Sequence, residues 1–232
     1  MDTVSIILPV YNEKNTIENV LQEWKKELDK YKVTYTFIVC EDGSTDGTKE
    51  LLLKIKQKYK LVLNERRERR GYGGAVIDGI ISAKSQFILC IDSDGQCDPR
   101  DFKTFWKIKG QADIIMGWRV KRADTRQRLL MSGFFKMLFK VLFPTSLHDP
   151  SAPFVLFKRG RIIPYMRYLR FMKEGFWWGF IAACLKKKLS IIEIPIQHQE
   201  RFYGKTRVYR LQAIPRIASI NIIGLVKLYL AK

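Results

Sequence analysis

The chain has 232 residues, 47% of them hydrophobic. That length suits one α/β domain with a modest appendage, and that apolar fraction excludes disorder. The formal charge is +19 and unevenly placed: residues 1–60 carry 10 basic and 10 acidic side chains, residues 61–157 carry 16 and 10, and residues 158–232 carry 16 and 3. A last third this basic favours an anionic partner (nucleic acid, a phosphorylated lipid or an anionic membrane face) over a merely solubilising surface.

In chain order, Val4-Ser5-Ile6-Ile7-Leu8-Pro9-Val10 reads as a buried strand. Residues 14–31 carry Ile17, Val20, Leu21, Trp24 and Leu28 at helical spacing. A strand over 35–40, a helix over 45–59, a strand over 61–63, a helix over 71–83 and a strand over 86–91 follow. Asp98 before Pro99 reads as the cap of a helix over 100–109. Such alternation predicts a mainly parallel sheet with helices on both faces, and ligands of such sheets bind beyond the carboxyl ends of the strands. The polar clusters fall there: Tyr11-Asn12-Glu13, Glu41-Asp42-Gly43-Ser44 and Asp92-Ser93-Asp94.

Beyond residue 130 the pattern changes. Residues 134–143 are apolar except Lys136 and Lys140, which a helix places on one face. This helix reads equally as core or as an interfacial segment. Residues 211–230 are apolar but broken by Pro215, Arg216, Asn221 and Lys227. Neither stretch supplies the roughly 20 uninterrupted apolar residues of a bilayer crossing. With basic residues close by, the second reads as an amphipathic helix lying at a membrane interface. The chain therefore divides into a catalytic domain over 1–208 and an interfacial segment over 209–232. Cys40, Cys90, Cys97 and Cys184 lack metal-type spacing, so reduced thiols in a cytoplasmic setting are expected. No basic region leads an apolar one at the start, so no secretory leader is expected. His148 and His198 show no metal-ligand spacing and read as local structural residues.

The chemistry concentrates at Asp92-Ser93-Asp94. Two carboxylates at i and i+2 on a strand end reach one hard divalent cation, which in turn suits a diphosphate partner. Gln96 adds a neutral oxygen. A lone pair of this kind arises often by chance; its place after a fourth strand, behind two other strand-end polar clusters, is what gives it weight.

Pro9-Val10-Tyr11-Asn12-Glu13, Glu41-Asp42-Gly43-Ser44-Thr45-Asp46-Gly47-Thr48 and Asp92-Ser93-Asp94-Gly95-Gln96 resemble the signatures of family 2 glycosyltransferases. Within that family the chain is most similar to the dolichyl- and polyprenyl-phosphate sugar synthases. Gly117-Trp118-Arg119, Arg128-Leu129-Leu130-Met131-Ser132 and Arg201-Phe202-Tyr203-Gly204-Lys205-Thr206-Arg207 carry that closer likeness. The resemblance spans residues 4–208. It implies a GT-A (Rossmann-like) α/β fold and an inverting transfer of a hexose from GDP-mannose or a UDP-sugar to dolichyl or polyprenyl phosphate. It implies that Pro9, Tyr11, Glu13 and Asp42 line the nucleoside pocket and that Asp92, Asp94 and Gln96 hold Mg²⁺ or Mn²⁺. It further implies that Arg119, Arg128 and Ser132 bind the acceptor phosphate, with Arg201 and Arg207 near the donor diphosphate or acceptor. Arginine's two-pronged donor fork suits such roles. Asp94, Arg119 and Arg128 are the expected catalytic groups.

The chain departs from that subgroup at Ala152-Pro153-Phe154, at Ile181 where a glutamate is usual, and at Trp177 and Trp178. These positions bear on donor sugar and acceptor. The expected setting is the cytoplasmic face of a membrane, peripherally or beside a membrane-protein partner. Two other readings compete. One is a family 2 enzyme acting on a hydroxyl acceptor, with Asp149 as general base. The other is a nucleic-acid-binding protein, suggested by charge alone; it lacks a recognisable motif and leaves the acidic clusters unexplained.

Overall fold

A computed structural model describes residues 2–120, 126–172, 174–199 and 214–231, with the backbone alone at 126–131, 214 and 215. In chain order the elements are β1 (Thr3–Val10), α1 (Ile17–Lys30), β2 (Thr34–Glu41), α2 (Thr48–Tyr59), β3 (Val62–Glu65), α3 (Tyr72–Ser82), β4 (Phe87–Cys90) and α4 (Phe102–Ile108). Then come β5 (Ile114–Arg119), α5 (Arg126–Leu142), β6 (Val155–Lys158), α6 (Arg159–Ile162), α7 (Met166–Leu169), α8 (Phe176–Lys186), β7 (Ile191–Ile196) and α9 (Ile214–Leu230).

The described strands form one seven-stranded sheet in the order β3-β2-β1-β4-β6-β5-β7. All pairings are parallel except those of β6, which runs antiparallel between β4 and β5. Two reversals at β6 leave β5 running with β4, so the carboxyl ends of β1, β2, β4, β5 and β7 share one edge.

Alternation along β1 assigns the two faces. Val4, Ile6, Leu8 and Val10 point into a core shared with Ile17, Leu21 and Trp24 of α1, Leu52 of α2 and Phe105 of α4. Ile7 points into the other core, with Val76 and Ile80 of α3, Phe139 of α5, Phe180 of α8 and Leu225 and Leu228 of α9. Both faces are covered, which is why the central strands read as nearly continuous apolar runs. Gly79 permits the closest approach: a Cβ there would lie 2.5 Å from Ile7 Cγ2 and 3.0 Å from Cys40 Sγ. Asp98 caps as its sequence position suggests, its carboxylate accepting from the Arg100 N–H at 2.9 Å, ahead of a short 3₁₀ turn that leads into α4.

The two apolar stretches beyond residue 130 are both helices. On α5, Phe139 is buried, whereas Phe134, Met137 and Val141 are 64%, 60% and 73% exposed. On α9, Leu225 and Leu228 are buried while Ile220, Ile223, Val226, Tyr229 and Leu230 face outward. Helix α9 packs against α5 and α8, and the Tyr229 ring meets Phe143 edge-on at 5.9 Å. The last segment is thus part of the core on one side and apolar on the other. No described helix is long and apolar enough to cross a membrane.

Candidate active site

The loops after β1 and β2 are laced into one unit. Asn12, in a left-handed conformation (φ +55°), accepts from the Thr45 N–H at 2.7 Å, and its own N–H donates to Ser44 Oγ at 2.9 Å. The Glu13 N–H donates to Thr48 Oγ1 at 3.0 Å. Asp42, buried at the end of β2, accepts from the N–H groups of Arg70 (2.7 Å) and Gly71 (2.8 Å), fixing the loop that enters α3. The Arg69 guanidinium covers one face of the Tyr11 ring, 3.9 Å from its centroid, and stands 3.8 Å from the Asp42 carboxylate. Pro9 closes the group: its carbonyl accepts from Ser93 Oγ at 2.8 Å, which ties β1 to the acidic turn. Pro9, Tyr11, Glu13 and Asp42 therefore gather on one edge. Glu41, part of the second polar cluster but given no role of its own from the sequence, is buried, with Oε1 accepting from the Ser44 N–H and Oε2 enclosed without a hydrogen-bond partner.

Asp92 and Asp94 flank the anchored Ser93. Asp94 is buried, and its Oδ1 accepts from the Gln96 N–H at 3.1 Å across Gly95, which turns the chain at φ +79°. Asp92 Oδ1 accepts from the Tyr72 hydroxyl at 2.7 Å, and that hydroxyl accepts from Trp177 Nε1 at 2.8 Å. Tyr72 as a residue is half-buried, but its hydroxyl is enclosed; burial first, and the Asp92 charge second, push the phenol well above its usual range. Burial, followed by the charges of Asp92 and Asp94, likewise raises the Cys97 thiol. The four cysteines are free and buried, as expected of reduced thiols.

The segment after β7 crosses this turn. Gln96 Nε2 donates to the Gln199 carbonyl at 3.1 Å, the Gln199 N–H donates back to the Gln96 carbonyl at 3.0 Å, and Cys97 bridges His198. Two carboxylates and one amide on a single turn supply only oxygen donors, the type that a hard divalent cation takes. Among the described residues no three His, Cys, Asp or Glu side chains converge. A cation here would draw its remaining ligands from phosphate and water, as Mg²⁺ commonly does.

Two strand widths from β4, or about 10 Å, β5 ends at Arg119. Its guanidinium is bidentate to Asp149 (Nε–Oδ2 2.7 Å, Nη2–Oδ1 3.0 Å) and also donates to Ser151 Oγ at 3.0 Å. The Asp149 N–H donates to Glu193 Oε1 at 2.7 Å, and the neighbouring His148 ring bonds the same carboxylate at 2.8 Å. Arg119 and Asp149 line an open cleft of about 290 Å³ with Trp118, Ser132, Lys136 and Trp178. Arg119, Ser132 and Lys136 thus share one cleft. The Arg128 side chain, Arg201 and Arg207 lie outside the described residues. The sequence did not reveal Tyr72, Trp177 as its partner, or Gln199. Tyr72 and Trp177 are 105 positions apart, and no local pattern announces such a pair.

A mainly parallel sheet with one reversed strand and an acidic turn at its carboxyl edge matches the GT-A (Rossmann-like) architecture. The chain belongs to glycosyl transferase family 2, whose profile matches residues 5–163. It is 28% identical to the dolichyl-phosphate beta-glucosyltransferase of Saccharomyces cerevisiae, covering 85% of this chain and 67% of that one. It is 23% identical to the undecaprenyl-phosphate 4-deoxy-4-formamido-L-arabinose transferase of Salmonella choleraesuis, covering 88% and 62%. The chain spans about two thirds of the length of these curated relatives. Among solved structures, glucosyl-3-phosphoglycerate synthase from Mycobacterium tuberculosis, in complex with Mn²⁺, UDP and phosphoglyceric acid, superposes with a TM-score of 0.72 at 16% identity. That match covers 100% of this chain and 80% of the other. At that identity the likeness bears on the fold alone, and it agrees with the GT-A architecture.

Proposed function

We propose that this chain transfers a hexose, with inversion, from GDP-mannose or a UDP-sugar to dolichyl or polyprenyl phosphate while docked peripherally on the cytoplasmic face of a membrane. Pro9, Tyr11, Glu13 and Asp42 hold the nucleoside; Asp92, Asp94 and Gln96 hold Mg²⁺ or Mn²⁺. A bound cation neutralises the departing nucleoside diphosphate. Arg119, Ser132 and Lys136 receive the acceptor phosphate, with Arg128, Arg201 and Arg207 as further phosphate contacts. A phosphate is already anionic at neutral pH, so it needs positioning rather than a base.

The observation that carries this reading is that α5 both lines the cleft and leaves apolar side chains in the open. Ser132 and Lys136 line the cleft on the same helix whose Phe134, Met137 and Val141 stand in the open. One helix thus offers a phosphate the cleft on one flank and a lipid tail apolar surface on another. The lipid-phosphate acceptors in the relatives' names supply independent support.

The hydroxyl-acceptor alternative needs Asp149 as base, but that carboxylate is bidentate to Arg119. The test offers radiolabelled nucleotide sugars with Mn²⁺ to three acceptors: polyprenyl phosphate, the corresponding polyprenol and 3-phosphoglycerate. Label in an organic-soluble product that mild acid releases, from polyprenyl phosphate alone, is the expected result. Transfer to the alcohol, or only to the water-soluble phosphate, would overturn the acceptor assignment.

A further inference from the structure

We propose that Tyr72 is a positioning residue for Asp92, and that Trp177 fixes the direction in which Tyr72 donates its hydrogen bond. The proposal rests on the reading above that Asp92 is a cation ligand; it concerns what orients that ligand.

Donor bookkeeping forces the direction. An indole N–H can only donate, so at 2.8 Å the Tyr72 oxygen must accept from Trp177. The phenol's single proton then goes to the remaining neighbour, Asp92 Oδ1, at 2.7 Å. Without Trp177 the hydroxyl could rotate and present a lone pair to other donors. With it, Asp92 Oδ1 always meets a donor, and the carboxylate is fixed in rotation about its terminal bond. A ligand carboxylate so held meets the cation without first being ordered, which is how neighbours of metal ligands commonly raise affinity.

The supports of this relay are stiff. Tyr72 is the first residue of α3, directly after Gly71, whose N–H is held by Asp42. Trp177 sits in the first turn of α8, buried, with its ring edge-on to Phe176 at 5.1 Å and to Phe180 at 5.4 Å. The amino ends of two helices on one face of the sheet thus converge on the turn after β4. The next residue of α8, Trp178, lines the acceptor cleft, so one helix start serves both the acidic turn and the cleft. A plainly structural Tyr–Trp contact would also satisfy buried polar atoms, but its loss would cost stability without touching the cation.

The two roles separate by measuring free Mn²⁺ by electron paramagnetic resonance during titration of the full chain with saturating UDP or GDP. Wild type, Tyr72→Phe, Trp177→Phe, the double variant and Asp94→Ala are compared, with Tm recorded for each. Tyr72→Phe should weaken Mn²⁺ binding about tenfold or more, and Trp177→Phe less. In the Tyr72→Phe background Trp177→Phe should add nothing, because its effect passes through the phenol. Unchanged Mn²⁺ affinity in a folded Tyr72→Phe, beside a loss in Asp94→Ala, overturns the proposal and leaves the metal reading standing. If Tyr72→Phe does not fold, Trp177→Phe decides, and unchanged affinity there overturns the proposal. If wild type binds no Mn²⁺, or Asp94→Ala binds it equally well, both the metal reading and the proposal fall.

Discussion

The Arg119–Asp149 pair shows how partners redefine a residue. Read singly, Arg119 is a phosphate ligand and Asp149 a candidate base. Together they are a bidentate pair with side chains only 10% and 8% exposed, braced by Ser151 and Glu193, so the proposed phosphate contact of Arg119 is one it shares with Asp149. Removing the carboxylate leaves a buried guanidinium without its counter-charge. Asp149→Ala should therefore destabilise the protein by about 3–5 kcal/mol, seen by calorimetry as a Tm lowered by roughly 10 °C. Lost turnover at an unchanged Tm would instead mark Asp149 as a base. The sequence made these two residues visible through their motifs but could not show their pairing, since a separation of 30 positions has no local signature. The strand-end acids were legible for the opposite reason. Asp42, Asp92 and Asp94 follow directly on buried strands, so their place on the carboxyl edge follows from the strand itself.

At the scale of elements, legibility followed periodicity and burial. β1, β2 and β4 are central, apolar and bounded by turn residues, and α1 carries a clean apolar stripe; each lies within a few residues of its expected position. β6 was hidden because four residues are too few to show a period, and its reversed direction depends on pairing with β4 and β5 rather than on sequence. α8 was reached through the family resemblance and not through periodicity: nearly every residue in it is buried, so it has no polar face to set a period. α9 is core on one side and exposed and apolar on the other. Its inner residues Leu225 and Leu228 belong to the core, so deleting the helix would expose that core and confuse any membrane assay. Outward substitutions avoid this: Ile223→Glu with Leu230→Glu should leave Tm nearly unchanged. Sedimentation with anionic liposomes should fall, because apolar insertion is lost and each new carboxylate opposes an attraction of about 1 kcal/mol per basic residue. Sedimentation equal to wild type would assign docking to another surface.

On the scale of the whole molecule, one sheet edge brings together three things the chain keeps far apart: the laced loops after β1 and β2, the acidic turn after β4, and the cleft at β5 and α5. The excess positive charge lies mainly in the last third, beyond the mostly neutral first 60 residues. This distribution suits an enzyme that takes a soluble anionic donor on one side and an anionic lipid on the other. The family, and the sheet that positions these parts, were legible from motif order. The exposed apolar side was legible only as an apolar pattern, because α5 and α9 divide their residues between core and surface in a way that only packing decides. The measurement that reaches the central claim most directly follows label from a nucleotide sugar into polyprenyl phosphate with Mn²⁺, in wild type and in a folded Asp94→Ala. The account predicts a mild-acid-labile labelled lipid from wild type, abolished both by excess chelator and by Asp94→Ala. Undiminished transfer in chelator or in Asp94→Ala, or no labelled lipid from any nucleotide sugar, would contradict it.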